Sequence, residues 1–127
     1  MTAITPPLIK VDIETTFSSD RSFVDEHSYV FSYTVHIKNM GTETVQLLSR
    51  HWFFENAYGK KYEVEGVGVI GEQPHIGPGE IFSYTSATEI DTPDGFMYGS
   101  YRMIKSDNSS FDATVEKSML NMPRALH

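Results

Sequence analysis

The sequence predicts an all-β fold, a sandwich or barrel of about seven strands. Three observations carry this reading. Apolar and polar residues alternate over most of the chain, as in strands whose successive side chains point to opposite faces. Clusters of Gly, Pro, Asn, Asp and Ser separate the alternating runs, which marks turns. No window shows apolar residues at a helical period.

Each element can be justified in order. Ile9, Val11, Ile13 and Phe17 share one face of a first strand, with Lys10, Asp12, Glu14 and Thr16 on the other. A long polar connection, Ser18 to Ser28, follows. Residues 29–38 alternate more strongly: Tyr29, Phe31, Tyr33, Val35 and Ile37 against Ser32, Thr34, His36 and Lys38. Asn39-Met40-Gly41-Thr42 supplies a turn. Between 44 and 55, Val45, Leu47 and Phe53 fall on one face and Leu48, Trp52 and Phe54 on the other. Apolar residues on both faces imply a central strand or a bulge that shifts the phase. Asn56-Ala57-Tyr58-Gly59 reads as a turn, and a strand around Tyr62 and Val64 leads into a glycine motif. Glu72 to Glu80, with Pro74, Gly77, Pro78 and Gly79, reads as a loop. Three further strands are expected at 81–90, 96–105 and 111–120, separated by Thr92-Pro93-Asp94-Gly95 and Ser106-Asp107-Asn108-Ser109. No composition break or internal repeat divides the chain, so a single domain over 3–127 is expected.

Composition excludes several function classes. The chain has 127 residues, 39% apolar and 21% charged, enough to bury a core without covalent staples. It has no cysteine, which removes disulfides, thiolate metal sites and a cysteine nucleophile. Seventeen acidic residues face ten basic ones, a net charge of −7. That opposes nucleic-acid and anionic-membrane partners, which need clustered Lys and Arg. No run approaches a membrane span, and Met1 to Pro7 lacks the basic-then-apolar pattern of a signal peptide, so a cytoplasmic location is expected.

The motif of widest precedent is Gly66-x-Gly68-x-x-Gly71. In a dinucleotide fold such glycines close a strand and open a helix whose N-terminus holds pyrophosphate. Here Pro74, Gly77, Pro78 and Gly79 stand where that helix would run. Two readings remain: an anion nest of backbone N–H groups, or a bulged or kinked strand that uses glycine for positive φ or close approach. The structural reading is favoured. The histidines, His27, His36, His51, His75 and His127, form no His-x-x-x-His or His-Glu-x-x-His pair. His36 and His51 lie on strands that could neighbour one another, with Asp12 or Glu14 nearby, but the ligand spacing of a metal site is absent and none is expected. There is no Gly-x-Ser-x-Gly elbow, and no catalytic residue stands out.

The order of motifs resembles the ApaG family. The resemblance rests on Tyr29-x-Phe31-x-Tyr33-x-Val35-x-Ile37-x-Asn39, on Val45-Gln46-Leu47-Leu48-Ser49-Arg50-His51-Trp52, and on Val64 through Pro74. Ile76-x-Pro78-Gly79, Phe82-x-Tyr84-Thr85-Ser86 and Thr92-Pro93-x-Gly95-x-Met97-x-Gly99-x-Tyr101-x-Met103 continue it. Two departures are Ser86-Ala87, where the family has Ser-Gly, and the polar last strand, Glu116-Lys117-Ser118-Met119-Leu120. The resemblance implies a fibronectin type III-like or immunoglobulin-like β-sandwich in a bacterial protein, with no cofactor. It implies a gene near a diadenosine tetraphosphatase, partner binding by the same domain in eukaryotic proteins, and a link to cobalt resistance and magnesium efflux. The glycine motif is, in that family, a suggested pyrophosphate site by analogy.

Together these lead to a non-enzymatic module that binds a protein partner. The expected contact residues are Gly66, Gly68, Gly71, Gln73, His75 and Ile76, on a loop stiffened by Pro74 and Pro78 and so preorganised for association. Arg50 and Trp52 are residue types common at hot spots, with Trp52 expected in the core. A homo-oligomer formed through a sheet edge is a further possibility. The alternative is a small-ligand sensor for pyrophosphate, a dinucleotide polyphosphate or a divalent cation.

Overall fold

The computed structural model describes residues 2–5 and 8–124; Met1, Pro6, Pro7 and His127 of the stretches considered above lie outside them. The strands are β1 (Thr2–Thr5), β2 (Ile9–Phe17), β3 (Tyr29–Asn39), β4 (Val45–Asn56), β5 (Lys61–Val67), β6 (His75–Ile76), β7 (Ile81–Ile90), β8 (Asp94–Lys105) and β9 (Ser110–Asn121). They form two antiparallel sheets, β1-β2-β3-β7 and β5-β4-β8-β9, the second completed by β6 on β4. The long strands are the seven expected; β1 and β6 are additional, and β6 lies in the stretch expected to be loop. The polar 18–28 connection contains two single 3₁₀ turns, at Ser19–Arg21 and Val24–Glu26. Among the described residues, no helix is long and apolar enough to cross a membrane.

The sheets face each other because each strand has one apolar row. Ile9, Val11 and Ile13 of β2 and Phe31, Tyr33, Val35 and Ile37 of β3 are buried against Leu47, Trp52, Phe54, Met97, Tyr101 and Met103 of the other sheet. Trp52 is at the centre, packed against Tyr33, Phe54 and the edge of Tyr101 at centroid distances of 5.8, 6.2 and 5.7 Å.

Two phase slips explain the irregular patterns. On β4, Leu47 pairs with Met103 and Ser49 with Arg102, which leaves Leu48 as an extra residue. The odd positions Val45 and Leu47 point inward before it, and the even positions Trp52 and Phe54 after it. Phe53 therefore faces outward and does not share a face with Val45. On β9, Glu116 and Lys117 both fall between the pairs Gly99–Val115 and Met97–Ser118. This second bulge accounts for the polar last strand: Lys117 lies on the outer face over the rings of Phe96 and Tyr98.

Candidate functional site

One side of β4 is shared by two strands. β5 covers Ser49 to Glu55, and β6 covers Val45 and Gln46. Between them lies the bulge at Leu48, whose carbonyl would be an unpaired acceptor in the ladder. The glycine motif closes this gap. The Gly68 N–H donates to the Leu48 carbonyl at 2.8 Å, and the Leu47 N–H donates to the Pro74 carbonyl at 3.0 Å. Gln73 Nε2 donates to the same Leu48 carbonyl at 2.9 Å.

The motif's three glycines have separate physical reasons. Gly68 has φ +64°, and a Cβ there would stand 2.2 Å from the Glu72 carbonyl oxygen. Gly71 has φ +73° with open space around it. Gly66 lies directly opposite Arg50; a Cβ on it would meet the Arg50 guanidinium at 2.6 Å. Arg50 folds over that bare backbone and donates from Nη1 to the Val67 and Gly68 carbonyls at 3.3 and 2.9 Å. The turn itself is Val69-Ile70-Gly71-Glu72, with Val69 and Glu72 exchanging hydrogen bonds. Ile70 has φ +47° and Gly71 +73°, the pair of positive values that marks a type I′ hairpin turn. The N–H groups of Gly68, Val69 and Glu72 are thus already bonded within the chain, and no helix follows Gly71.

The rest of the 71–78 loop is tied down. Ile76 is 1% exposed and its carbonyl accepts from the buried Asn39 side chain at 2.9 Å. This corrects its place among the contact residues: β6 turns Ile76 into the core, where no partner can reach it. Gln73 serves the bulge, and Gln46 Nε2 donates to the Gln73 carbonyl at 3.2 Å. His75 is exposed.

An open groove of about 610 Å³ crosses the outer face of the five-stranded sheet. Ser49 and Ser100 line it with His51, Glu65, Arg102 and Val67. Arg102 is paired there with Asp112 at 2.7 Å. On the wall of this groove His51 Nε2 lies 2.5 Å from Glu63 Oε2 and 3.2 Å from Glu65 Oε1. His36 is elsewhere: it is on β3 in the other sheet, 3.1 Å from Glu14 and 2.6 Å from Ser83. The two histidines are therefore not strand neighbours. Linear spacing does not reveal the group of His51, Glu63 and Glu65, because the two glutamates follow the histidine by 12 and 14 positions. A signal was present in the turn at 56–59: a hairpin pivoting on Tyr58 sets residue 51 opposite residue 65.

Between the sheets, the phenols of Tyr84 and Tyr101 share a hydrogen bond. Burial pushes Tyr84 up to about 12 and Tyr101 well above its ordinary value. Tyr33 is also raised by burial, in part offset by a hydrogen bond with Ser86 and by Arg50.

Comparison with known proteins places this geometry. Residues 19–105 match the family model described as the ApaG domain. The chain is 50% identical to a protein named ApaG from Methylobacillus flagellatus over 117 residues, 92% of each chain. It is 44% identical to the ApaG of Shewanella pealeana over 94% of each chain. A crystal structure of the putative ApaA protein from Bordetella pertussis superposes with a TM-score of 0.89 at 36% identity, covering 92% of this chain and 95% of that one. With a family model over most of its length and relatives of this identity across nearly all of it, the chain belongs to the ApaG domain family.

Proposed function

We propose that this protein is a non-enzymatic, cytoplasmic binding module that engages a protein partner through the turn at Val67–Glu72. The observation that supports this is Ile70. A β-branched residue at positive φ is strained by roughly 1–2 kcal/mol, and such strain persists where the surroundings over-determine it and clusters at functional positions. Ile70 is nonetheless 60% exposed, and Val67, at the end of β5 leading into the turn, is 74% exposed. The fold holds two apolar side chains in water, one on a turn fixed by Gly68, Gln73 and Arg50 and one on the strand that leads into it. A rigid apolar knob loses little freedom when a partner covers it.

The test uses the conflict between stability and binding. Asparagine tolerates positive φ better than isoleucine. Ile70→Asn is therefore expected to stabilise the fold by about 1 kcal/mol in urea unfolding while losing the partners that wild-type protein captures from its host. A variant that is more stable and still captures every partner overturns the turn as the contact surface. The next surface is then β7, an edge strand of ten residues with no register shift against β3 and a single charge, Glu89, the kind of edge that pairs with another strand.

A further inference from the structure

We propose that His51, Glu63 and Glu65 form a binding site for a divalent cation of the zinc class, on the outer face of the five-stranded sheet, beside a groove that Val67 also lines. The hairpin of β4 and β5 builds the site. His51 lies directly opposite Glu65, and Glu63, two residues earlier on β5, is on the same face. His51 presents Nε2 to both carboxylates. Its ring lies against that of Phe53, with centroids 4.6 Å apart, which supports the imidazole from along its own strand. Among the described residues, this is the one place where three such donor atoms come within 4.8 Å of one another.

The donor chemistry selects the ion. An imidazole nitrogen with carboxylate oxygens suits zinc and related transition cations, whereas magnesium and calcium prefer all-oxygen shells. Metal–ligand bonds of ~2.0–2.2 Å around a tetrahedral ion place neighbouring donors roughly 3.3 Å apart. The His51–Glu65 separation of 3.2 Å already has that value, and Glu63 at 2.5 Å needs to withdraw by less than an ångström. Hydrogen-bond accounting points the same way. An imidazole Nε2 can offer one proton to two carboxylates, whereas a cation at the centre satisfies all three groups at once. The side chains are 35%, 54% and 67% exposed, so the ion can enter and retain water in its remaining positions, beside a groove with room for a further ligand.

The opposite sheet supplies the control. His36 lies 3.1 Å from the Glu14 carboxylate and 2.6 Å from the Ser83 hydroxyl, and among the described residues it belongs to no group of three such donors. Calorimetric titration of the full chain with zinc chloride in a non-coordinating buffer is expected to show one ion per chain. His51→Gln, and separately the Glu63→Gln, Glu65→Gln pair, should weaken it about tenfold or more; His36→Gln should leave it unchanged. Zinc should shift the His51 imidazole resonances before those of His36 or His75, and magnesium at the same concentration should not. Absence of binding, binding that survives both His51→Gln and the double glutamine variant, or an equal loss in His36→Gln, overturns the site. The two sets of variants remove different donors, so a folding defect in one leaves the decision to the other.

Discussion

Replacing Gly68 by alanine is expected to destabilise the fold by about 3 kcal/mol, measured by urea unfolding. Two costs combine. An L-residue at φ +64° is strained by roughly 1–2 kcal/mol. The added Cβ also falls 2.2 Å from a backbone oxygen, that of Glu72, which is held by the Val69–Glu72 pair and cannot swing aside as a side chain would. Moving it opens the turn, and with it the bonds that satisfy Leu48. Gly71→Ala separates the terms. That glycine has the same sign of φ but nothing within 4 Å of a Cβ, so only the conformational cost of about 1 kcal/mol applies. Equal losses in the two variants would show that the contact with Glu72 contributes nothing.

Alkaline pH is expected to weaken the fold by a similar amount. An unfolded tyrosine titrates near 10, whereas burial holds Tyr84 up at about 12 in the fold. Between those values the folded state keeps a proton that the unfolded state has released. The folded protein binds more protons, so stability falls as pH rises; it is fully present below pH 10 and is lost through about pH 12. Two pH units correspond to about 3 kcal/mol for Tyr84 alone, and Tyr101, raised further by burial beside Tyr84, acts in the same direction. Urea unfolding at pH 8 and pH 11 should show the loss, and a Tyr84→Phe, Tyr101→Phe variant should show much less of it. A wild-type protein as stable at pH 11 as at pH 8 would refute the origin assigned here.

Much of this fold is legible in the residues. The alternation from Tyr29 to Ile37 survives as the buried row of β3 because a strand packed on one face has no other way to hide those side chains. The slip between Leu47 and Trp52 is equally visible, since a change of apolar parity within one run requires an extra residue. Harder to read are features set by register between strands. β6 is two residues long, and its apolar signal is Ile76 alone; its position depends on the gap that the Leu48 bulge leaves beside β4. In the sequence alone Ile76 therefore reads as a loop side chain. Glu63 and Glu65 look like the solvent face of a strand, which they are. Only the pairing across the Asn56–Lys60 turn shows that His51 stands opposite Glu65 and within reach of both. The glycine motif was legible as backbone geometry and illegible in detail: seating a guanidinium on Gly66 needs the partner strand to be known.

The extra residue at Leu48 makes the chain tolerant of a one-residue loss at one point and intolerant of it close by. With Leu48 deleted, Leu47 and Ser49 become consecutive opposite the consecutive pair Met103 and Arg102, so the ladder turns regular and Trp52 and Phe54 keep their inward address. What is lost is the gap beside β4 that the Gly68 N–H and the Gln73 side chain fill. Deleting Phe53 instead makes Trp52 and Phe54 consecutive, and one of them must turn to water because successive strand residues alternate. Gaps in the alignment of inherited variants should therefore avoid residues 52–54 and collect in the Ala57–Lys60 turn, where Tyr58 is 89% exposed and an added residue lengthens the hairpin tip without reversing a face. Descent by insertion and deletion is confined, in this half of the sheet, by the parity of a single strand, and the bulge is where that parity can change.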